Sequence, residues 1–163
     1  MSSMNIQEQF QKMALGEKIV LVAAPLFLID SFLQWFSYDL GPFGDISRTG
    51  WSGDFSLFTM IASLVAIVMF VQIALTRFTS VALPALPEGI SWGRVHLGAG
   101  IYILLAVALR MVIGESAGGV DADRSYGIFI AIILAIALAA GGFLIYQEEQ
   151  KGSSTGSSGP GEM

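Results

Sequence analysis

Cysteine is absent from this 163-residue chain, and histidine occurs once, at His96. Without thiols there is no disulfide framework, thiolate zinc site, iron–sulfur cluster or thiol redox relay. A single imidazole excludes bis-histidine haem ligation within one chain. Charge is scarce as well. Asp, Glu, Lys and Arg make up 13% of the residues, against roughly 25% in soluble domains. Apolar residues make up 54%, and the mean hydropathy is +0.69. Such a composition cannot cover a soluble surface, which excludes a cytosolic enzyme and a disordered chain. The net charge of −5 and the pI near 4.6 argue against a polybasic lipid- or nucleic-acid-binding surface. An integral membrane protein remains.

Four apolar runs reach the roughly 20 residues that a bilayer requires. They lie at about 18–37, 55–76, 93–113 and 126–147. The expected fold class is therefore all-α, a four-transmembrane-helix bundle spanning residues 18–147. Asp30 and an aromatic-rich stretch follow the first apolar run where a signal peptide would carry small residues, so that span is expected to be retained. Residues 1–17 form an N-terminal segment in which Ile6, Phe10 and Met13 recur at helical spacing, as in an interfacial helix, with a frayed polar leader as the alternative. Residues 148–163 are expected to form a flexible tail, Gly/Ser-rich from Gly152.

Lys and Arg in short connectors set the orientation. Lys12, Lys18, Arg77, Arg94 and Lys151 fall on the side shared by both termini, and Arg48 and Arg124 on the other. Both termini are thus expected in the cytoplasm, beneath acidic outer loops. Trp35, Tyr38, Trp51, Trp92, Tyr126 and Tyr146 stand near span ends and read as interfacial anchors. The outer loop Val120–Arg124 (VDADR) lacks the ligand spacing of a calcium loop, so no metal site is assigned.

Two ionisable residues lie well inside the spans, Asp30 and Arg110. Each would cost about 2.5–3.5 kcal/mol at a bilayer centre if unpaired. Counted from the span ends, Asp30 lies about 10 Å deep and Arg110 about 5 Å. Their depths match within the reach of an arginine, so an Asp30–Arg110 ion pair is expected. Gln34 follows one turn after Asp30, and Ser56, Thr59 and Ser63 line the outer half of the second span. These six residues would form one outward-opening polar cluster, read first as a structural lock and otherwise as a proton- or ligand-binding carboxylate site. His96 near the inner end reads as an interface residue or a satisfied polar group and not as a ligand. Ala131, Ala135 and Ala139, and Ala137 with Gly141, give the fourth span small-residue faces suited to close helix packing.

No nucleotide loop, nucleophile elbow or HExxH motif occurs. No catalytic residue is assigned, and no cofactor is expected. The stretch Gly16–Phe36 (GEKIVLVAAPLFLIDSFLQWF) resembles the opening of small four-span bacterial membrane proteins of unassigned function, and Gly50–Phe55 (GWSGDF) is similar in style to their second-span opening. The resemblance implies four spans and a bacterial plasma-membrane location. The expected partners are the lipid bilayer and another membrane protein or a second copy, met through small-residue faces, with no nucleic acid. The function read from the sequence is a non-enzymatic accessory or assembly subunit. A small transporter or channel component using Asp30 is the alternative.

Overall fold

The structure is a computed structural model in which residues 5–155 are described. They run as α1 (Ile6–Lys12), α2 (Leu15–Asp30), β1 (Gln34–Asp39), a 3-10 turn (Gly41–Phe43), β2 (Asp45–Thr49), α3 (Ser56–Phe78), α4 (Trp92–Ile113), β3 (Ser116–Ala117), β4 (Val120–Asp121), β5 (Asp123–Arg124) and α5 (Tyr126–Thr155). The protein is mostly helical. Three helices, α3, α4 and α5, are long and apolar enough to cross a membrane.

The first expected span is shorter than its apolar run. Helix α2 stops at Asp30, and the last residues of the expected span lie in a turn and in β1. The amides of Phe32 and Leu33 bond to the carbonyls of Ile29 and Asp30 at 3.1 and 2.8 Å, and the Trp35 indole also donates to the Asp30 carbonyl at 3.0 Å. Apolar length alone does not separate a buried strand from a continuing helix, and the aromatic residues of QWFSYD suit a strand. The other three spans agree with expectation to within two residues at their starts. At its far end α5 passes the expected boundary and runs on through Thr155. There the hydroxyls of Ser153 and Thr155 bond back to the carbonyls of Glu149 and Lys151. Residues 148–155 are therefore helix, while 156–163 of the expected flexible tail lie outside the described residues.

Helices α2 to α5 pack in a ring in which α4 and α5 meet most extensively. Its centre is apolar, with Val20, Phe27, Ala62, Ala66, Ile103, Val107, Ile128, Ala131, Ala135 and Leu138 completely buried. The outward sides are apolar too. Val22, Ile29, Leu64, Leu105, Ile133 and Ile136 are all more than half exposed. Helices apolar all round suit a hydrocarbon surround, where intrahelical bonds satisfy the backbone.

Small residues set the closeness of the helices. A Cβ on Gly100 would lie 2.7 Å from the Cα of Ala139, and one on Gly142 would collide with the His96 carbonyl. On the opposite side Gly16 sits against Gly141, 2.7 Å from its carbonyl oxygen by the same construction. The small residues of α5 are thus used within the chain.

At one end of the ring the connectors form a β cap, a feature the all-α expectation did not include. Strands β2, β1 and β5 make an antiparallel sheet in that order, and β3 and β4 make a two-residue hairpin. Gly118 and Gly119, with φ of +59° and +83°, supply the left-handed conformations that a tight hairpin turn demands. The opposite end carries Lys12, Lys18, Arg77, Arg94 and Lys151, and is called here the basic end. There Arg77 forms a bidentate pair with Glu17 at 2.8–3.1 Å, tying α3 to α2. Helix α1 buries none of its residues, and Ile6 and Phe10 remain exposed.

Two glycine substitutions test this packing. Gly142→Ala should lower stability by about 1–3 kcal/mol through overpacking. Gly98→Ala, where a Cβ meets nothing within 4 Å, should raise it by about 0.5–1 kcal/mol. Thermal unfolding in mild detergent separates the two.

Candidate functional site

The expected Asp30–Arg110 ion pair does not form. Arg110 pairs instead with Glu115, Nη2 to Oε2 at 3.0 Å, and both side chains are almost fully buried. Both carboxylate oxygens of Asp30 are buried and lack any hydrogen-bond partner. The depth comparison rested on a first helix reaching Ser37. That helix ends at Asp30, and Glu115 follows Arg110 by only five residues after the chain reverses at Gly114 (φ +73°). The closer carboxylate takes the arginine.

Arg110 stands in the last turn of α4 and is 1% exposed. Its Nη1 donates to the Gly50 carbonyl and to Thr59 Oγ1, both at 2.9 Å. Its Nη2 donates to the Thr49 carbonyl at 3.3 Å and to the Ser52 carbonyl. The guanidinium also lies 5.6 Å from the Trp35 ring centroid and 5.4 Å from that of Phe36, within cation–π range. One fixed fork of donors thereby collects the loop from Thr49 to Ser52, the start of α3, strand β1 and the end of α4. Five N–H groups on a rigid plane permit this; a lysine would present a compact ammonium instead.

Glu115 completes the node. Gly53, at φ +89°, passes so near its carboxylate that a Cβ would overlap it. Arg48, whose side chain is partly exposed, brings a buried Nε to 3.9 Å from Glu115 Oε1. Burial first, and then the Glu115 carboxylate, hold the Tyr38 phenol above its ordinary pKa of 10, despite the opposing charge of Arg48. The Ala122 amide donates to the Glu115 carbonyl at 2.8 Å. A second arginine, Arg124 of β5, caps the end of α4 by donating to the carbonyls of Met111 (2.6 Å) and Val112 (3.1 Å). Two arginines therefore fasten the cap to one helix end.

Of the expected cluster, Thr59 and Arg110 meet directly. Ser63 joins through its hydroxyl, which donates to the Thr59 carbonyl at 2.9 Å, and Ser56 through its carbonyl, which accepts from Thr59 Oγ1 at 3.0 Å. Asp30 and the Gln34 side chain stay outside this network, so the expected six-residue site is divided. Gln34 opens β1, its carbonyl close against Gly127 of α5. His96 bonds through Nε2 to Gln72 Oε1 at 2.6 Å, leaving Nδ1 unpaired.

The expected anchors divide as well. Trp35 is completely buried and Tyr38 is 4% exposed, so both serve the cap core instead of an interface. The Trp51 indole donates to Ser31 Oγ at 2.7 Å and stacks on Phe32, with ring centroids 5.2 Å apart. Trp92, Tyr126 and Tyr146 remain partly or largely exposed on α4 and α5. Sequence reasoning missed Glu115 and the Thr49, Gly50 and Ser52 carbonyls. Carbonyl acceptors leave no residue-type signal, but the Arg110-to-Glu115 spacing across Gly114 was visible.

The assignment of Arg110 to Glu115 is testable by unfolding in detergent. Arg110→Met should cost about 3–5 kcal/mol because Glu115 stays buried without a partner. Gly53→Ala, which forces Glu115 aside, should also destabilise. A double-mutant cycle of Arg110 with Glu115 should couple by about 0.5–3 kcal/mol, whereas Arg110 with Asp30 should be additive within about 0.5 kcal/mol.

No protein-family model matches the sequence, and no curated protein matches it.

Proposed function

We propose that this chain is a non-enzymatic multi-pass membrane protein, an accessory or assembly subunit that presents its β cap to a partner at the surface of a bacterial plasma membrane. The observation that carries this reading is the Arg110 node. The arginine and Glu115 are both consumed in fixing the cap to the helices, which is the work of a rigid display surface. The surface so held is exposed and chemically mixed. Phe43 at the hairpin tip is 88% exposed and Ile46 is 48% exposed, beside Asp39 and Asp45. An apolar tip within an acidic surround suits protein docking.

In this reading α2 is a fourth crossing element, and both termini lie in the cytoplasm. Its 16 residues rise about 24 Å, short of the roughly 30 Å hydrocarbon core. Its contacts still favour a crossing. Glu17 meets Arg77 near the far end of α3, while the Ser31 carbonyl accepts from the Gly50 amide at 2.9 Å before α3 begins. The excess of Lys and Arg at the basic end supports the orientation. Short α1, with Ile6 and Phe10 exposed, suits an interfacial position at that end.

A second reading rests on Asp30, whose buried carboxylate has no protein partner. Intramembrane carboxylates of this kind serve proton or cation carriers. Asp30→Asn distinguishes the two. Under the accessory reading the variant folds, gains about 1–3 kcal/mol by losing an unsatisfied buried charge, and retains any partner co-purified from native membranes. Under the carrier reading it abolishes proton-coupled flux in liposomes. Flux by the unaltered protein that Asp30→Asn removes would overturn the accessory proposal. So would native-membrane purification yielding only the isolated chain.

A further inference from the structure

Between α3 and α4 lies a cavity of about 420 Å³, within the ~300–1,000 Å³ typical of small-molecule sites. Its wall is apolar along Val68, Met69 and Ala99, and its mouth at the basic end is formed by Trp92 and Arg94. Two bonds between the helices bound it. The His96–Gln72 bond, at 2.6 Å, lies near the mouth, and the Tyr102 hydroxyl donates to the Phe58 carbonyl at 3.1 Å at the far end. From Arg94 to Tyr102 the helix rises about 12 Å. The groove is thus a narrow apolar slot with a cation at one end.

The cation is available. Arg94 is exposed, and among the described residues no carboxylate lies within 4.0 Å of it. Its Nη1 donates to the Gly89 carbonyl, leaving other donors of the fork free. Glu149 of α5 shares a neighbouring cavity with Arg94, but accepts from the Gly93 amide at 2.6 Å. Gly98 lines the slot, and a Cβ there meets nothing within 4 Å. A methylene chain would fill the apolar length while a phosphate met Arg94 beside an interfacial tryptophan.

We propose that the α3–α4 slot binds one acyl chain of an anionic glycerophospholipid, with the lipid phosphate held by Arg94. The occupant is a lipid because only an amphiphile uses the charged mouth and the dry wall together. Arg94 supplies headgroup preference and the slot supplies chain affinity.

The experiment titrates the delipidated full-length protein in neutral detergent with phosphatidylglycerol or phosphatidylcholine of identical chains, followed by native mass spectrometry and thermal unfolding. One phosphatidylglycerol should be retained per monomer with a higher melting temperature. The preference over phosphatidylcholine should be roughly fivefold, as expected for one cation at a membrane surface. Arg94→Gln should remove the preference. Gly98→Leu, which extends into open space, should remove retention of both lipids while leaving the unliganded melting temperature within a few degrees. Equal retention of both lipids by the unaltered protein would overturn the proposal, as would a preference that survives Arg94→Gln. Arg94-dependent stabilisation by inorganic phosphate alone would mean a soluble-anion site instead. A dimer lost on Gly98→Leu would mean that a second copy occupies the slot. If Gly98→Leu unfolds, Ala99→Val provides the same filling test.

Discussion

A guanidinium withdrawn from water governs the structure at its capped end. Arginine stays charged in proteins, and an isolated charge in a low-dielectric interior carries a penalty of several kcal/mol. Arg110 escapes that penalty by gathering the loop carbonyls before α3, the Thr59 hydroxyl, two aromatic faces and the Glu115 carboxylate. These acceptors lie on segments distant in sequence, so the cap must close over the helix end for the charge to be satisfied. The cost of the buried charge becomes a constraint on the fold. Its close geometry also explains why Gly53 passes beside Glu115 without a side chain.

The membrane character of α3, α4 and α5 was legible because a bilayer imposes length and composition together. Phe55–Thr76, Gly93–Ile113 and Tyr126–Gln147 each satisfied both, and their helices contain those stretches except for the first residue, Phe55, which precedes α3. The first run failed at its end for a physical reason. Trp35 and Phe36 extend the aromatic and apolar run beyond α2, but they bury themselves in a sheet over the helix ends. Hydropathy reports desolvation and is silent on whether a helix or a neighbouring strand satisfies the backbone. The β cap was hidden for the same reason.

The candidate site shows what spacing can and cannot supply. Ser56, Thr59 and Ser63 were recognisable as one stripe because helical periodicity fixes which residues share a face, and depth placed Arg110 beside them together with Asp30 and Gln34, whose side chains stay outside the network. The partners of Arg110 were not recognisable, because three are backbone carbonyls, a group that every residue carries. Asp30 was placed at matching depth by counting along a helix that ends sooner than expected, and the pairing failed with that assumption. At the other end, Gly100 and Gly142 turned out to press against Ala139 and His96. Small residues on α5 thus bring α4 and α2 close, and the outward faces are left to larger apolar side chains.

The most direct test of the central claim is hydrogen–deuterium exchange of the cap amides in Glu115→Gln, compared with the unaltered protein in the same detergent. If the Arg110–Glu115 pair holds the cap on the helices, exchange in Trp35–Asp39 and Thr49–Ser52 should accelerate roughly tenfold or more, the equivalent of losing about 1.4 kcal/mol of local stability. Amides in the middle of α5 should exchange unchanged. Cap amides that keep their original protection in Glu115→Gln would contradict the account.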